Sequence, residues 1–579
     1  MCHRRTLRRG CASGECTQTL SRKQTPDKFT QSGRNVPLSE ETQARTPDGT
    51  INIIHAESFR QFFKCIGGIM KKKIVLVMLV AISVTGCGAG KEKTIEKSQI
   101  TNPMVGNNIN SDSGSDLIYG GDPSVLVDGD TVYLYTGHDA STDKEVADSV
   151  YNIPEYLCYS STDMVNWKSE GTAMTMDTVK WAKDDQSAWA SQVAEYNGKY
   201  YLYYCSWDKT GKQSIGVATS DSPTGPFTDI GQPLVKGNVT KPQLSSFNDI
   251  DPTVWIETDE TGTTHRYLAW GNGMFFICEL NEDMISVKDQ NGDGEITSGN
   301  NFAEADIAYQ KNGLENYTEA PWLYRRQDEN GNYYGDYYLF YANGWRENMA
   351  YATTDDLSSG NWKFGNIIMT PNATSNTNHM AVFDFKGKTY FVYHNGSLPG
   401  GNGYRRSACV TELNFNDDGS IDLFEETAAG PAGTTSAITL DSGKALSHEG
   451  FVNSSADSDY PYTKIKIGLD IGDSENDNKW VITAGKADPS QDPYVSIQSE
   501  NKAGLYITAN KDGSVTLAQD TDGSDKTAKK QTFKTLEGFD DKDGVTFESV
   551  SQEGMYLCIK DDILALTDSK SDAATFYIK

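Results

Sequence analysis

The chain has 579 residues, with 80 acidic against 52 basic side chains and a net charge of −28. That length allows about two to four domains. So acidic a surface repels phosphate backbones, which argues against a nucleic-acid partner, and it suits a neutral ligand such as a sugar.

Residues 1–69 show no sustained hydrophobic periodicity. They are read as a disordered, non-native upstream extension and set aside. Residues 70–87 read as a signal peptide. Lys71, Lys72 and Lys73 form a charged start, and Ile74–Val84 is an apolar run too short to span a bilayer. Val84-Thr85-Gly86-Cys87 resembles a bacterial lipoprotein cleavage box, which implies a lipid on Cys87 and a cell-surface or extracellular protein held to the membrane by that lipid alone. The alternative is an ordinary secretory signal. Residues 88–115 are rich in Gly, Ser, Asn and Lys and are expected to be a flexible tether. Beyond Cys87 the cysteines are Cys158, Cys205, Cys278, Cys409 and Cys558, with no ligand spacing. Neither a zinc site nor a disulfide framework is indicated.

From 116 to 428 strand signals dominate. Five short runs dense in Tyr, Val and Phe (TVYLYTG, KYYLYYCSW, HRYLAWG, DYYLFYANG and TYFVYHNG) are separated by turns such as DGD, NGK and KGK. Asp122, Trp189, Asp251, Glu319 and His379 each precede one of these runs and recur at intervals of 60–68 residues. A repeat of β units at even spacing predicts an all-β, five-bladed propeller, with a β-sandwich as the alternative. Residues 430–445 are small and polar and read as a linker. The region 440–579 carries its own repeat: Gly504 and Tyr506 match Gly554 and Tyr556 in register fifty residues on. With a weaker third copy near Trp480, this predicts a smaller β-trefoil-like domain.

Ring closure would bring three distant carboxylates to one axial mouth. Hydrolysis of a glycosidic bond needs a protonated carboxyl and an ionised one with different environments. Glu319 is followed by Ala-Pro-Trp, so apolar surroundings should raise its pKa. Asp122 and Asp251 each precede Pro, which orients the carboxylate without offering it the next N–H.

These motifs, Asp122-Pro123, Ala188-Trp189-Ala190, Ile250-Asp251-Pro252-Thr253, Glu319-Ala-Pro-Trp322 and Asn378-His379, resemble glycoside hydrolase family 43 over residues 116–428. The resemblance implies an inverting mechanism with Asp122 as general base, Glu319 as general acid and Asp251 as the residue that orients the acid and keeps its pKa high. It implies that Arg406 lies near the substrate, a surface cation beside Arg405 being the alternative. Beside the resemblance, Asn272 is a candidate substrate contact in the pocket wall, and Trp189 and Trp322 are read as stacking on sugar or serving as core. The resemblance also implies that His379 contacts a structural calcium ion, although Met380-Ala381 stands where Pro-Gly is commoner. No cofactor is required for the chemistry. Asp289-Gln-Asn291-Gly-Asp293 matches half of an EF-hand loop, but Asn300 stands at its twelfth position, so a polar hairpin loop is expected. The C-terminal repeats resemble an arabinose-binding domain of arabinofuranosidases.

The expected function is removal of α-L-arabinofuranosyl groups from plant cell-wall arabinoxylan or arabinan. A β-xylosidase of the same family, or a non-catalytic surface glycan-binding lipoprotein, are the alternatives.

Overall fold

The computed structural model describes residues 90–98, 102–106, 117–184, 186–450, 464–541 and 543–579. The lipidation expected at Cys87, the signal segment 70–87 and the extension 1–69 lie outside them. Among the described residues no helix is long and apolar enough to cross a membrane.

Five sheets follow one another along the chain. The first holds Gly120–Asp128, Thr131–His138, Glu155–Ser161 and Lys168–Thr175; the second Ser191–Tyr196, Lys199–Trp207, Gln213–Ser220 and Thr228–Asp229. The third is built on Thr253–Thr258, Thr264–Trp270, Phe275–Glu279 and Ile307–Gln310, with Ser298–Gly299 added at its edge. Tyr317–Gln327, Tyr333–Asn343, Asn348–Thr354 and Lys363–Met369 form the fourth, and Met380–Phe385, Lys388–Asn395 and Ser407–Glu412 the fifth. The first strands pack side by side in a ring in which the fifth returns to the first. This is a five-bladed β-propeller.

Each aromatic run is the second strand of a blade, and it lacks the usual alternation. In KYYLYYCSW six consecutive residues, Tyr201 to Ser206, are buried. A blade lies between two neighbours, so both faces of its middle strands leave water and both select apolar side chains. The free thiols of Cys158, Cys205 and Cys278 are buried in such strands, and that of Cys409 in the outer strand of the fifth blade.

The ring is latched at its ends. Gly120 N–H, in the first blade, donates to Arg406 O beside the fifth at 2.7 Å. The chain at 102–106 runs along the outer strand of the fifth blade. There Met104 N–H donates to Ala408 O, and the Asn102 carboxamide brackets Val410 through its N–H and C=O. Residues 90–98 lie instead on the C-terminal domain, with Lys93 N–H on Thr535 O and Ser98 N–H on Ile482 O. The described parts of 88–115 are therefore packed, unlike the free tether expected from composition. The apolar contacts at Ile95 and Val105 were diluted among polar residues in the sequence.

The C-terminal domain surrounds a core that includes Ile438, Trp480, Ile497, Leu505, Phe533, Leu557 and Phe576. Its repeats coincide in register: Gln498 pairs Tyr506 as Glu548 pairs Tyr556. The segment expected to be linker contributes the strand Ser436–Thr439, which pairs with both Lys479–Ala484 and Tyr577–Ile578 and buries Ile438. The domain thus begins ahead of residue 440. Small polar neighbours concealed one short strand.

Candidate active site

Three residues at the mouth of the propeller have left-handed backbones: Asp122 (φ 51°), Asp251 (φ 60°) and Ala320 (φ 55°). This conformation costs an ordinary residue roughly 1–2 kcal/mol, and Asp tolerates it better than most. At Gly121/Ser124 and Glu319/Trp322 the register with the second strand slips. A bulge here re-aims the side chain, and Pro123 or Pro321 cannot miss a ladder bond that proline never donates. The local kinks turn Asp122, Asp251 and Glu319 away from the sheets and toward the axis.

They meet in a hollow of about 320 Å³. All five regularly spaced residues, Asp122, Trp189, Asp251, Glu319 and His379, line it, with Asn272 and Arg406. Tyr151, Ile153, Phe247, Ile250, Thr377 and Asn378 complete the wall.

Asp122 is organised around charge. Arg406 Nη1 donates to Asp122 Oδ1 at 2.6 Å. The guanidinium is itself clamped by buried Asp139, through Nε on Oδ2 at 2.8 Å and Nη2 on Oδ1 at 2.9 Å. Burial alone would raise the Asp122 pKa, but Arg406, with His379 and His394, overrides it and holds the carboxyl below the ordinary range. Asp122 N–H donates to His394 Nδ1 at 3.1 Å, which leaves the His394 proton on Nε2, facing Thr377 O at 2.9 Å. Gly121 makes room for the clamp: a Cβ there would lie 2.2 Å from Arg406 Nε.

On the opposite side the carboxyls are held toward neutrality. Burial, then the charges of Glu319 and Asp122, push Asp251 well above the ordinary range. Its Oδ2 accepts Ala320 N–H at 2.9 Å, which ties it to the backbone next to Glu319. Burial also raises Glu319, against the hydrogen bonds from Glu347 and Asn272. Asn272 Nδ2 donates to Glu319 Oε2 at 2.5 Å. Asn272, expected to contact substrate, thus lines the hollow while gripping a carboxyl.

The aromatic wall centres on Trp189, which stacks on Phe247 at 5.9 Å and meets Trp207 and Tyr151 edge-on. Trp322 is elsewhere, and its stacking role is corrected. It is buried, its indole N–H donates to Val382 O at 2.8 Å, and it packs in the core between the fourth and fifth blades. After the bulge at Ala320 the strand resumes its alternation, which sends Trp322 inward rather than to the mouth.

His379, where a calcium contact through waters and one imidazole nitrogen is expected, lines the hollow beside Asp122. His379 Nδ1 stands 4.0 Å from Asp122 Oδ1, and that oxygen is already taken by a guanidinium. Burial depresses the His379 pKa to about 4. Among the described residues no group of three or more His, Cys, Asp or Glu is disposed to hold a metal ion. In the loop after Val287, Asp289 accepts the N–H groups of Gly292 and Gly294, as a polar turn does.

The match to known families follows the same residues. The model of Glycosyl hydrolases family 43 matches residues 119–421, over half the chain. The chain belongs to glycosyl hydrolases family 43. Residues 461–577 match the Alpha-L-arabinofuranosidase B (ABFB) domain. The family-43 chain is 29% identical over 333 residues to a xylosidase/arabinosidase of Bacteroides ovatus, covering 53% of this chain and 95% of the relative. It is 28% identical over 419 residues to an arabinoxylan arabinofuranohydrolase of Bacillus subtilis, covering 64% and 74%. Over 297 residues it is 31% identical to a β-D-galactofuranosidase of Aspergillus niger, covering 48% and 76%.

Asp139, His394 and Glu347 of this family-43 site were not singled out in the sequence. Each closes or follows an aromatic run, in TGHDA, VYHNG and ANGWREN. A polar residue ending a second blade strand at the mouth is the signal that could have found them.

Proposed function

We propose that the protein is an inverting α-L-arabinofuranosidase that removes side chains from arabinoxylan or arabinan, with Asp122 as general base and Glu319 as general acid. The observation that carries this reading is the division of one hollow between a carboxyl gripped by Arg406, whose pKa is lowered, and one gripped by Asn272, whose pKa burial raises. Asp122 takes a proton from a water as that water attacks the anomeric carbon. The carbon–oxygen bond breaks, and its electron pair goes to the leaving oxygen, which takes the Glu319 proton. Asp251 acts on Glu319 through the Ala320 amide, which it holds beside the acid. Trp189 and Phe247 offer flat faces for a sugar ring.

The ABFB-domain match and the arabinofuranohydrolase relative favour arabinose. The relative named for both sugars supports β-xylosidase as the second reading. Hydrolysis rates on nitrophenyl α-L-arabinofuranoside and β-D-xyloside separate the two. Proton NMR of the fresh product tests the mechanism: the opposite anomer is expected first, and initial retention overturns the inverting reading. The Met70–Cys87 segment adds delivery to the cell surface on a lipid anchor, tested by labelling with a fatty-acid analogue in the parent and in Cys87→Ala.

Two further outcomes follow from the geometry. The kcat/KM profile should be bell-shaped. Its acid limb belongs to Asp122, which must be ionised and whose pKa lies below the ordinary 3.8, and its alkaline limb to Glu319, which must be protonated and lies above the ordinary 4.5. Asn272→Ala removes a donor that favours ionised Glu319, so the alkaline limb should move to higher pH. A shift to lower pH would contradict this arrangement. Gly121→Ala should displace the Arg406 guanidinium from Asp122. A shift of about 1 Å at such a group costs about 10²-fold in rate, to be read in kcat/KM with circular dichroism confirming the fold.

A further inference from the structure

Arg406 stands at the end of a long loop. Residues 396–406 join Lys388–Asn395 to Ser407–Glu412 in the fifth blade, and the loop must hold a guanidinium in place against Asp122. Its first half is held from the C-terminal domain. Gln519, the last residue of the strand Val515–Gln519, is 5% exposed and lies outside the wall of the hollow. Its Nε2 donates to Gly396 O and to Gly401 O, each at 3.1 Å. A carboxamide nitrogen carries two protons, so one side chain satisfies both carbonyls and pins the two ends of 396–401 together. Beside it, Gly400 N–H donates to Asp520 O at 2.9 Å. Gly504, at the foot of the neighbouring strand, backs the same loop: a Cβ there would lie 2.6 Å from Ser397 Cα.

From this clasp two arms lead to the Arg406–Asp122 pair. Along the loop, Gly401 N–H donates to Leu398 O at 2.8 Å, and Asn402 and Arg405 exchange backbone hydrogen bonds at 3.1 and 3.2 Å. Arg405 Nε ties that turn to Ser141 O in the first blade, and Arg406 follows with its N–H on Asp139 Oδ2 at 2.8 Å. The other arm is Tyr119, whose hydroxyl donates to Pro399 O at 2.7 Å. Tyr119 immediately precedes the strand Gly120–Asp128 that carries Asp122. Both partners of the pair are therefore bonded to one loop, and Gln519 closes that loop from another domain.

We propose that the C-terminal domain braces the catalytic site, with Gln519 as a positioning residue that fixes the loop 396–406 and, through it, Arg406 against Asp122. The inference rests on the assignment of Asp122 as general base. It requires no sugar on the C-terminal domain itself. Without the two amide protons, the buried carbonyls of Gly396 and Gly401 lose their donor, and the loop relaxes toward water to recover one. The guanidinium at its far end then draws away from Asp122. The other groups facing Asp122 stay where they are: His379 and His394 from the fifth blade, Asp251 from the third and Glu319 from the fourth.

Gln519→Met keeps most of the side-chain volume, removes both donors and changes no charge, so it can reach Asp122 only through geometry. Arg406 holds the Asp122 pKa down, so its withdrawal should move the acid limb of kcat/KM to higher pH by about one unit, the lower end of what an adjacent cation confers. The value of kcat should fall by up to about 10²-fold, equally on dinitrophenyl and unactivated arabinofuranosides, because water must be activated for both. Gln519→Asn keeps the donors on a side chain one methylene shorter, and its limb should lie between those of the parent and the Met variant. An acid limb at the parent position in Gln519→Met overturns the proposal whether the rate is kept or lost, since a merely structural role lowers rate or stability without moving the limb. Should circular dichroism show that variant unfolded, an unmoved limb in Gln519→Asn overturns it in the same way. Failure of the base assignment has a separate signature: Asp122→Asn would then hydrolyse both substrates at the parent rate.

Discussion

Glu319→Gln is expected to lower kcat on an unactivated arabinofuranoside by about 10²–10⁴-fold, the contribution of a positioned general acid. The amide keeps the volume of the carboxyl and can still meet Asn272 and Glu347, so KM should change little. The loss should be selective for the leaving group. A dinitrophenolate departs without a proton, so on that substrate the variant should approach the parent rate. The alkaline limb of the pH profile should also vanish, since the group that titrates there is gone. An equal loss on activated and unactivated substrates would instead mean that Glu319 positions the sugar and another group gives the proton.

Asp122→Asn is expected to cost a similar factor, about 10²–10⁴-fold in kcat, but without that selectivity. Water must be deprotonated whatever the leaving group, so the dinitrophenyl substrate should be hit as hard as the unactivated one. The acid limb of the profile should disappear. The substitution also removes one of the two carboxylates that neutralise Arg406. A buried cation that loses a partner destabilises a fold by about 3–5 kcal/mol in the strongest cases. Asp139 remains on two of the guanidinium nitrogens, which should keep the loss below that range. Thermal unfolding checks this, and a melting temperature far below the parent's would show that Asp122 and Asp139 share the charge more equally than their geometry suggests.

Together these two variants separate the faces of the hollow. One face lowers the pKa of its carboxyl and the other raises it. Arg406 spans from the clamp of Asp139 to Asp122 and fixes the first. Asn272, Ala320 N–H and Glu347 surround Glu319 and fix the second. The two pKa values shift in opposite directions although both carboxyls are buried, because burial raises both and only Asp122 has a guanidinium bonded to it to reverse it.

Much of this was legible from residue order. The spacing of Asp122, Trp189, Asp251, Glu319 and His379 follows from blade length, and blade length repeats because each unit must cross the same radius. The Tyr-rich runs marked the second strands, since middle strands of a propeller are covered on both sides. Trp322 was misjudged because a bulge at Ala320 shifts the strand phase, and phase depends on a backbone angle that no residue type dictates alone. The packed stretches at 90–98 and 102–106 were missed because their few apolar contacts are made with parts of the chain hundreds of residues away, and the strand Ser436–Thr439 because its partners Lys479–Ala484 and Tyr577–Ile578 lie outside any local window.

What residue order determined by itself was the list of carboxylates, their even separation and the β character of the units that carry them, because hydrophobic patterning and repeat length are local properties. What only the tertiary structure decided was which carboxyl has its pKa lowered and which has it raised. That depends on Arg406, Asp139, Asn272 and Glu347 reaching the mouth from the first, third, fourth and fifth blades, and electrostatic energy falls with distance in space rather than along the chain.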